Sequence, residues 1–334
     1  MKQIAALSVI LFLAISCGKE EEMSAPLLFS AEDGLEEVLT KAAITSDNLG
    51  TNNVRVYAEK NATALTNMNP ATISIPKGGA YWMPTTNNAN TQWDNGKAYT
   101  FQGYAYTKTG ITIPNTVKNG HEFTVTQPTS YEPSSMADYV FSKKVSISAE
   151  QSKTHPLINL EFDHVLPAIQ VYVTCAEAMQ DVSVSEMTLS GLYYTATMKY
   201  SIMDEQWTPT LLGERSASYT ESTVLTVAQT KAETQAKMNI ISVPQSFNES
   251  TRLTITYSIN ESMDSTPDFK EYTQSFALSK AVSGITSGHR TVFHVVIDNG
   301  IHLTAAIAPW KEVDFIEGTV LPPIPTEPTG APVS

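Results

Sequence analysis

Few side chains in this sequence are spaced for chemistry. Its six histidines (His121, His155, His164, His289, His294 and His302) are scattered. A zinc-binding helix needs two histidines four apart with a glutamate between them, and no such run occurs. His294 and His302 flank Ile301 on an expected hairpin and are the one pair placed to approach each other. There is no Gly-x-Ser-x-Gly nucleophile elbow and no phosphate-binding loop. Glycoside hydrolysis needs two carboxylates about 5 to 9.5 Å apart, and nothing singles out a pair among the 34 Asp and Glu residues. Asn260, Glu261 and Asp264 form an acidic loop without the spacing of a calcium loop. Cys175 closes an apolar run, 169–175, and reads as a small buried side chain. Among the aromatics that could stack on sugars, Trp82 and Trp310 read as core. Trp93 lies in the Asn/Thr-rich stretch 85–95 and is the ring expected to be exposed. The expectation is a protein that is not an enzyme, with no metal ligand set and no cofactor.

Cys17 is the one residue with a reaction to undergo. Lys2 supplies a positive start, 4–15 is an apolar run broken only by Ser8, and small residues lead into the cysteine. The run is shorter than the ~20 apolar residues that span a bilayer, so 1–16 reads as a signal peptide rather than a transmembrane helix. A cysteine at the cut marks a lipoprotein, with Cys17 as the acylated residue. Two or more acyl chains give stable anchoring, at ~0.8 kcal/mol per buried methylene, so outer-membrane lipid is the partner expected through Cys17. The acidic Lys19-Glu20-Glu21-Glu22 that follows cannot bury itself and reads as a solvated tether. It also resembles a surface-export signal of certain Gram-negative lipoproteins, which implies the outer face of the outer membrane.

The elements behind these residues are strands. Net charge is −13 over 334 residues, which argues against nucleic acid, whose binding depends on neutralising phosphates with Lys and Arg. A hydrophobic content of 42% supports packed cores, and the length suggests two domains. After a short apolar patch, 27–31, and a candidate helical turn at Leu35, Val38 and Leu39, the period becomes two. Strands are expected at 54–58, 71–75, 97–106, 111–113, 122–125 and 145–148, with turn residues between them. The second half adds 169–175, 182–192, 194–200, 222–227, 238–243, 253–259, 269–278, 290–297 and 303–308. The fold class is all-β, as two sandwich domains with a boundary near residue 160. Five prolines in 321–334 rule out a full strand ladder there, and the tail reads as polyproline II or disordered. The expected order is signal peptide 1–16, tether and first strand 17–41, sandwiches 42–160 and 161–320, and tail 321–334.

Several stretches in order resemble the fimbrillin family, the subunits of type V pili. They are the lipoprotein signal ending at Cys17, Phe29-Ser30-Ala31-Glu32, Thr40-Lys41-Ala42, Val54-Arg55-Val56-Tyr57-Ala58 and Tyr99-Thr100-Phe101-Gln102-Gly103-Tyr104-Ala105-Tyr106. Leu160-Glu161-Phe162-Asp163-His164-Val165-Leu166-Pro167 and Ala306-Ile307-Ala308-Pro309-Trp310 complete the set. The resemblance implies two transthyretin-like Greek-key sandwiches and a role in pilus assembly, in the fimbrium at the cell surface. It implies export as a lipoprotein and cleavage by a trypsin-like surface protease, here between Lys41 and Ala42. It also implies exchange of the first strand, at Leu27, Leu28 and Phe29, for an extended segment of another subunit. Phe315, Ile316 and Val320 lie in the stretch that could be donated in turn. The partners implied are other pilin subunits and a host or bacterial surface ligand. Two departures stand out: the family's cleavage residue is usually Arg, and the tail after Val320 is proline-rich, which suits a tip or accessory subunit. The alternative from the residues alone is a permanently anchored glycan- or nutrient-binding lipoprotein using Trp93.

Overall fold

A computed structural model of the chain describes residues 25–32, 43–45, 48–76, 79–86, 91–114, 120–175, 182–225, 237–260, 268–297 and 301–310. Among these described residues, twenty-three strands follow in chain order. They are β1 Phe29–Glu32, β2 Arg55–Lys60, β3 Thr63–Ala64, β4 Ala71–Ser74, β5 Met83–Pro84, β6 Tyr99–Tyr106, β7 Ile111–Thr112 and β8 Glu122–Thr126. Next come β9 Tyr139–Ser142, β10 Val145–Ile147, β11 Ile158–His164, β12 Ala168–Cys175, β13 Val182–Leu192, β14 Thr195–Ser201, β15 Gln206–Leu212 and β16 Ala217–Leu225. The chain continues through β17 Met238–Ile241, β18 Gln245–Ser246, β19 Arg252–Asn260, β20 Phe269–Ala277, β21 Gly284–Ile285, β22 His289–Ile297 and β23 Ile301–Pro309. The fold is all-β, as tandem sandwiches, and the only helical elements among the described residues are 3-10 turns of three or four residues.

The first half is organised on a nine-stranded sheet of order β1-β11-β9-β6-β2-β4-β5, with β10 on β6 and β3 on β2. Its core alternates along the strands as a one-face-buried sheet should. Val56 and Ala58 of β2, Phe101 of β6, and Ile158, Leu160 and Phe162 of β11 are each at most 1% exposed. Gly103 makes room for this packing: a Cβ there would stand 3.0 Å from both Leu160 Cδ1 and Phe162 Cζ.

The second half pairs two four-stranded sheets, β17-β12-β22-β23 and β16-β13-β19-β20. Val171, Val173, Met187, Leu189, Leu253, Ile255, Phe293 and Val295 fill the core they share. β12 runs parallel to β22 over its whole length, a pairing that a hairpin cannot make and that requires a crossover. A further sheet, β15-β14-β8-β7, joins residues 111–126 to 195–212. Tyr104, Phe123, Val125 and Tyr139, all before residue 160, therefore pack into the core of the later strands. Position 160 itself lies inside β11.

His121 sits at this seam, with Nε2 2.8 Å from Gln102 Oε1 and ring contacts to Phe141 and Tyr200. Burial lowers its pKa from 6.5 to about 4. On acidification the unfolded chain therefore takes up this proton before the folded one does. The contribution to stability is complete above pH 6.5 and is lost as pH falls toward 4. A urea midpoint measured across that window is expected to fall, and His121→Gln to flatten that part of the profile.

Candidate strand-exchange site

β1 is inserted between walls made by distant segments. On one side it runs parallel to β11, with Phe29 opposite Ile158 and Glu32 opposite Glu161. The Ile158 amide donates to the Leu28 carbonyl at 2.9 Å, and the Ser30 hydroxyl donates to Asn159 Oδ1 at 3.0 Å. On the other side Phe29 and Trp82 exchange both backbone hydrogen bonds, at 3.0 and 2.9 Å. Just upstream, the Leu27 amide donates to the Thr91 carbonyl and the Trp93 amide to the Ala25 carbonyl. The strand is thus an interior one, although it stands first in its sheet order.

Side chains fix its depth. Leu27 and Phe29 are 0% exposed, and the Phe29 ring meets Phe101 edge-on at 5.6 Å and 79°. Burying two such side chains contributes ~1.5–3 kcal/mol each. Leu28, between them, points the other way and is half-buried, as the two-residue period of a strand requires.

Trp93 belongs to this site and not to the surface, which corrects the expectation drawn from its polar loop. It is 3% exposed and packs edge-on against Tyr99 at 5.0 Å and Phe101 at 6.0 Å. The Asp94 amide donates to the Tyr99 hydroxyl at 2.9 Å, and burial pushes the Tyr99 phenol up. The polar residues around Trp93 supply backbone for this wall while the ring turns inward. Trp82 is half-buried, and Trp310 is buried as expected.

Downstream of the expected cut, the chain is pinned at once. The Ile44 amide donates to Asp138 Oδ2 at 2.8 Å. Asn48 clamps the same turn, its Nδ2 donating to the Ala43 carbonyl at 2.8 Å and its Oδ1 accepting from the Thr45 amide at 2.9 Å. Asp138 is 0% exposed and lies 3.0 Å from His164 Nδ1, and Trp310 stacks on the His164 ring at 3.8 Å and 17°. No pattern in the sequence had marked Asp138.

Cys17, Lys41, Ala42, Phe315, Ile316 and Val320 lie outside the described residues, as do the candidate turn at 35–39 and the tail. Cys175 is buried in the second core, as read. His294 and His302 lie on the same hairpin, β22–β23, at offset rungs, and His294 Nε2 is 2.9 Å from the Thr174 hydroxyl. Among the described residues no cluster of three or more His, Cys, Asp or Glu could hold a metal ion.

Fold and site together define a tandem β-sandwich protein whose first strand fills a groove between distant segments. The chain belongs to the fimbrillin-like family, whose model matches residues 40–310. Among solved structures, a candidate cell adhesion protein from Bacteroides uniformis is similar with a TM-score of 0.54 at 13% identity, over 87% of this chain and 100% of that one. A second such protein, from Bacteroides ovatus, has a TM-score of 0.52 at 16% identity, over 88% of this chain and 100% of that one. At these identities the likeness is one of fold. The chain matches no curated protein.

Proposed function

We propose that this chain is a structural subunit or a tip or accessory adhesin of a type V pilus. In this reading it is exported as a surface lipoprotein acylated at Cys17. A trypsin-like protease cuts between Lys41 and Ala42, and β1 is exchanged for an extended segment of another subunit. Family membership supports an adhesin-like surface protein rather than an enzyme. The observation that carries the finer reading is β1 itself, hydrogen-bonded on both sides with Leu27 and Phe29 fully buried. A groove vacated by such a strand presents unpaired amides, carbonyls and apolar side chains together, and a donated strand satisfies all of them. The segment right after the cut is held by Asp138 and Asn48, so removal of 1–41 leaves the new chain start anchored.

Intact mass and N-terminal sequencing of protein taken from the cell surface test the reading. A species that begins at Ala42 and lacks lipid is expected. Lys41→Gln is expected to leave a folded, lipid-anchored monomer, and pili of normal length from that variant would overturn the assigned cut. A surface population still carrying acylated Cys17 would instead mean a permanently anchored protein. The sugar-binding role given to Trp93 in that alternative has lost its support, because the ring is buried.

A further inference from the structure

Away from the groove, a cleft of ≈ 880 Å³ opens between the β14–β15 hairpin and the turn 283–289, within the size range of a binding site. One wall is aromatic. Tyr200 and Trp207 are cross-strand partners with ring centroids 5.2 Å apart, and Phe141 closes the patch at 4.9 and 5.2 Å from them. Pro209 extends the same wall, while His164 and Gly288 lie on the other side of the cleft.

The last described residue lies against that far side. Trp310 stacks on His164, and its amide donates to the Gly288 carbonyl at 3.3 Å. The chain beyond it therefore starts at the cleft. After ten residues, 311–320, comes Leu321-Pro322-Pro323-Ile324-Pro325. Ten extended residues reach roughly 30 Å, ample to cross back to the aromatic wall.

We propose that this cleft is the docking site of the chain's own proline-rich segment, 321–325. Three physical arguments select this occupant. Proline-rich segments dock in aromatic-lined grooves because their polyproline II form is preset and costs little ordering entropy. A segment whose prolines lack N–H groups needs no ladder partner. β15, the edge strand of its sheet, carries Pro209 in its middle, which disfavours the addition of an ordinary strand there. Tethering through ten residues also gives the segment a millimolar-range effective concentration, so a weak contact suffices. The inference does not rest on strand exchange.

The test uses the full chain with Ile324 replaced by the photo-cross-linker p-benzoylphenylalanine, irradiated when dilute and mapped by mass spectrometry. The expected product is an intramolecular cross-link from position 324 to the 200–211 wall in the monomer. Replacing Pro322, Pro323 and Pro325 by alanine in the same background is expected to reduce it about tenfold, one decade of docking equilibrium. These prolines follow the last described strand, β23, in the chain, so the described cores keep every residue, whereas Trp207→Ala would also disturb Phe123 and Tyr139, on which Trp207 packs. Cross-links scattered over other surfaces, or a yield indifferent to the prolines, would overturn the proposal. Products found mainly between two chains would also overturn it and assign the cleft to the tail of a second copy.

Discussion

A chain that begins at Ala42 is expected to self-associate at micromolar concentration, whereas one that begins at Ala25 remains monomeric. The difference is β1. Without it, the amides of Ile158, Trp82 and Trp93 and the Thr91 carbonyl lose the partners that 25–29 supply. Each buried backbone group left unmade costs ~1–3 kcal/mol, and the lost burial of Leu27 and Phe29 adds ~1.5–3 kcal/mol each. Together these approach the ~5–15 kcal/mol by which a folded domain is stable at all. The shortened chain must therefore fill the groove from another molecule or lose the first sandwich. Light scattering after size exclusion separates these outcomes, and a peptide spanning 25–32 added in excess is expected to restore a monomer. A shortened chain that stays monomeric, with its thermal midpoint unchanged and no affinity for the peptide, would show that β1 is not what closes the groove. Phe29→Ala in the longer chain is the milder version, at ~3–5 kcal/mol for a buried phenylalanine.

The groove was only half legible in the sequence. The strand itself could be read, because Leu27-Leu28-Phe29 is a short apolar patch bounded by Pro26 and the acidic Glu32-Asp33-Gly34. Its partners could not. Parallel pairing with β11 joins residues 129 apart, and nothing local encodes it. No strand was expected anywhere over 158–164, because the domain boundary was placed near residue 160, inside what is β11. Trp93 misled for a related reason: its Asn- and Thr-rich neighbours describe the solvent side of the wall, while the ring's position is set by Tyr99 and Phe101. β15 alternates half-buried Trp207, Pro209 and Leu211 with exposed Gln206, Thr208, Thr210 and Leu212, but a proline in its middle argues against a strand, and its wall of the cleft went unread. β9, Tyr139–Ser142, is buried at every position, so it has no alternation to find. Most of the second sandwich was legible, since β12, β13, β19 and β22 are long runs bounded by turn residues.

Asp138→Ala is expected to be the most destabilising single substitution in the described structure. Its carboxylate accepts from the Ile44 amide at 2.8 Å and the Tyr139 amide at 2.8 Å, and it lies 3.0 Å from His164 Nδ1. All of this occurs at 0% exposure. Alanine leaves two amides and an imidazole without an acceptor in a place water does not reach. Each buried group left without its acceptor costs ~1–3 kcal/mol, and the amides of residues 44 and 139 both lose theirs. Asp138→Asn, which keeps one oxygen acceptor, is expected to cost less. His164→Phe would retain a ring under Trp310 and lose only the imidazole contact. Urea unfolding of Asp138→Ala, His164→Phe and the double variant forms a cycle, with a coupling of ~0.5–3 kcal/mol expected for residues in direct contact. Additive effects would mean that the two side chains act separately. The position of the pair explains why so much rests on it. It ties the turn after the expected cut, β9, the end of β11 and, through Trp310, the last strand of the second sandwich to one carboxylate. A chain start fixed there stays docked when everything upstream is removed, although the vacated groove must still be refilled. Protease sensitivity at 43–48 is therefore expected to rise in Asp138→Ala even in denaturant-free buffer, where the global fold persists.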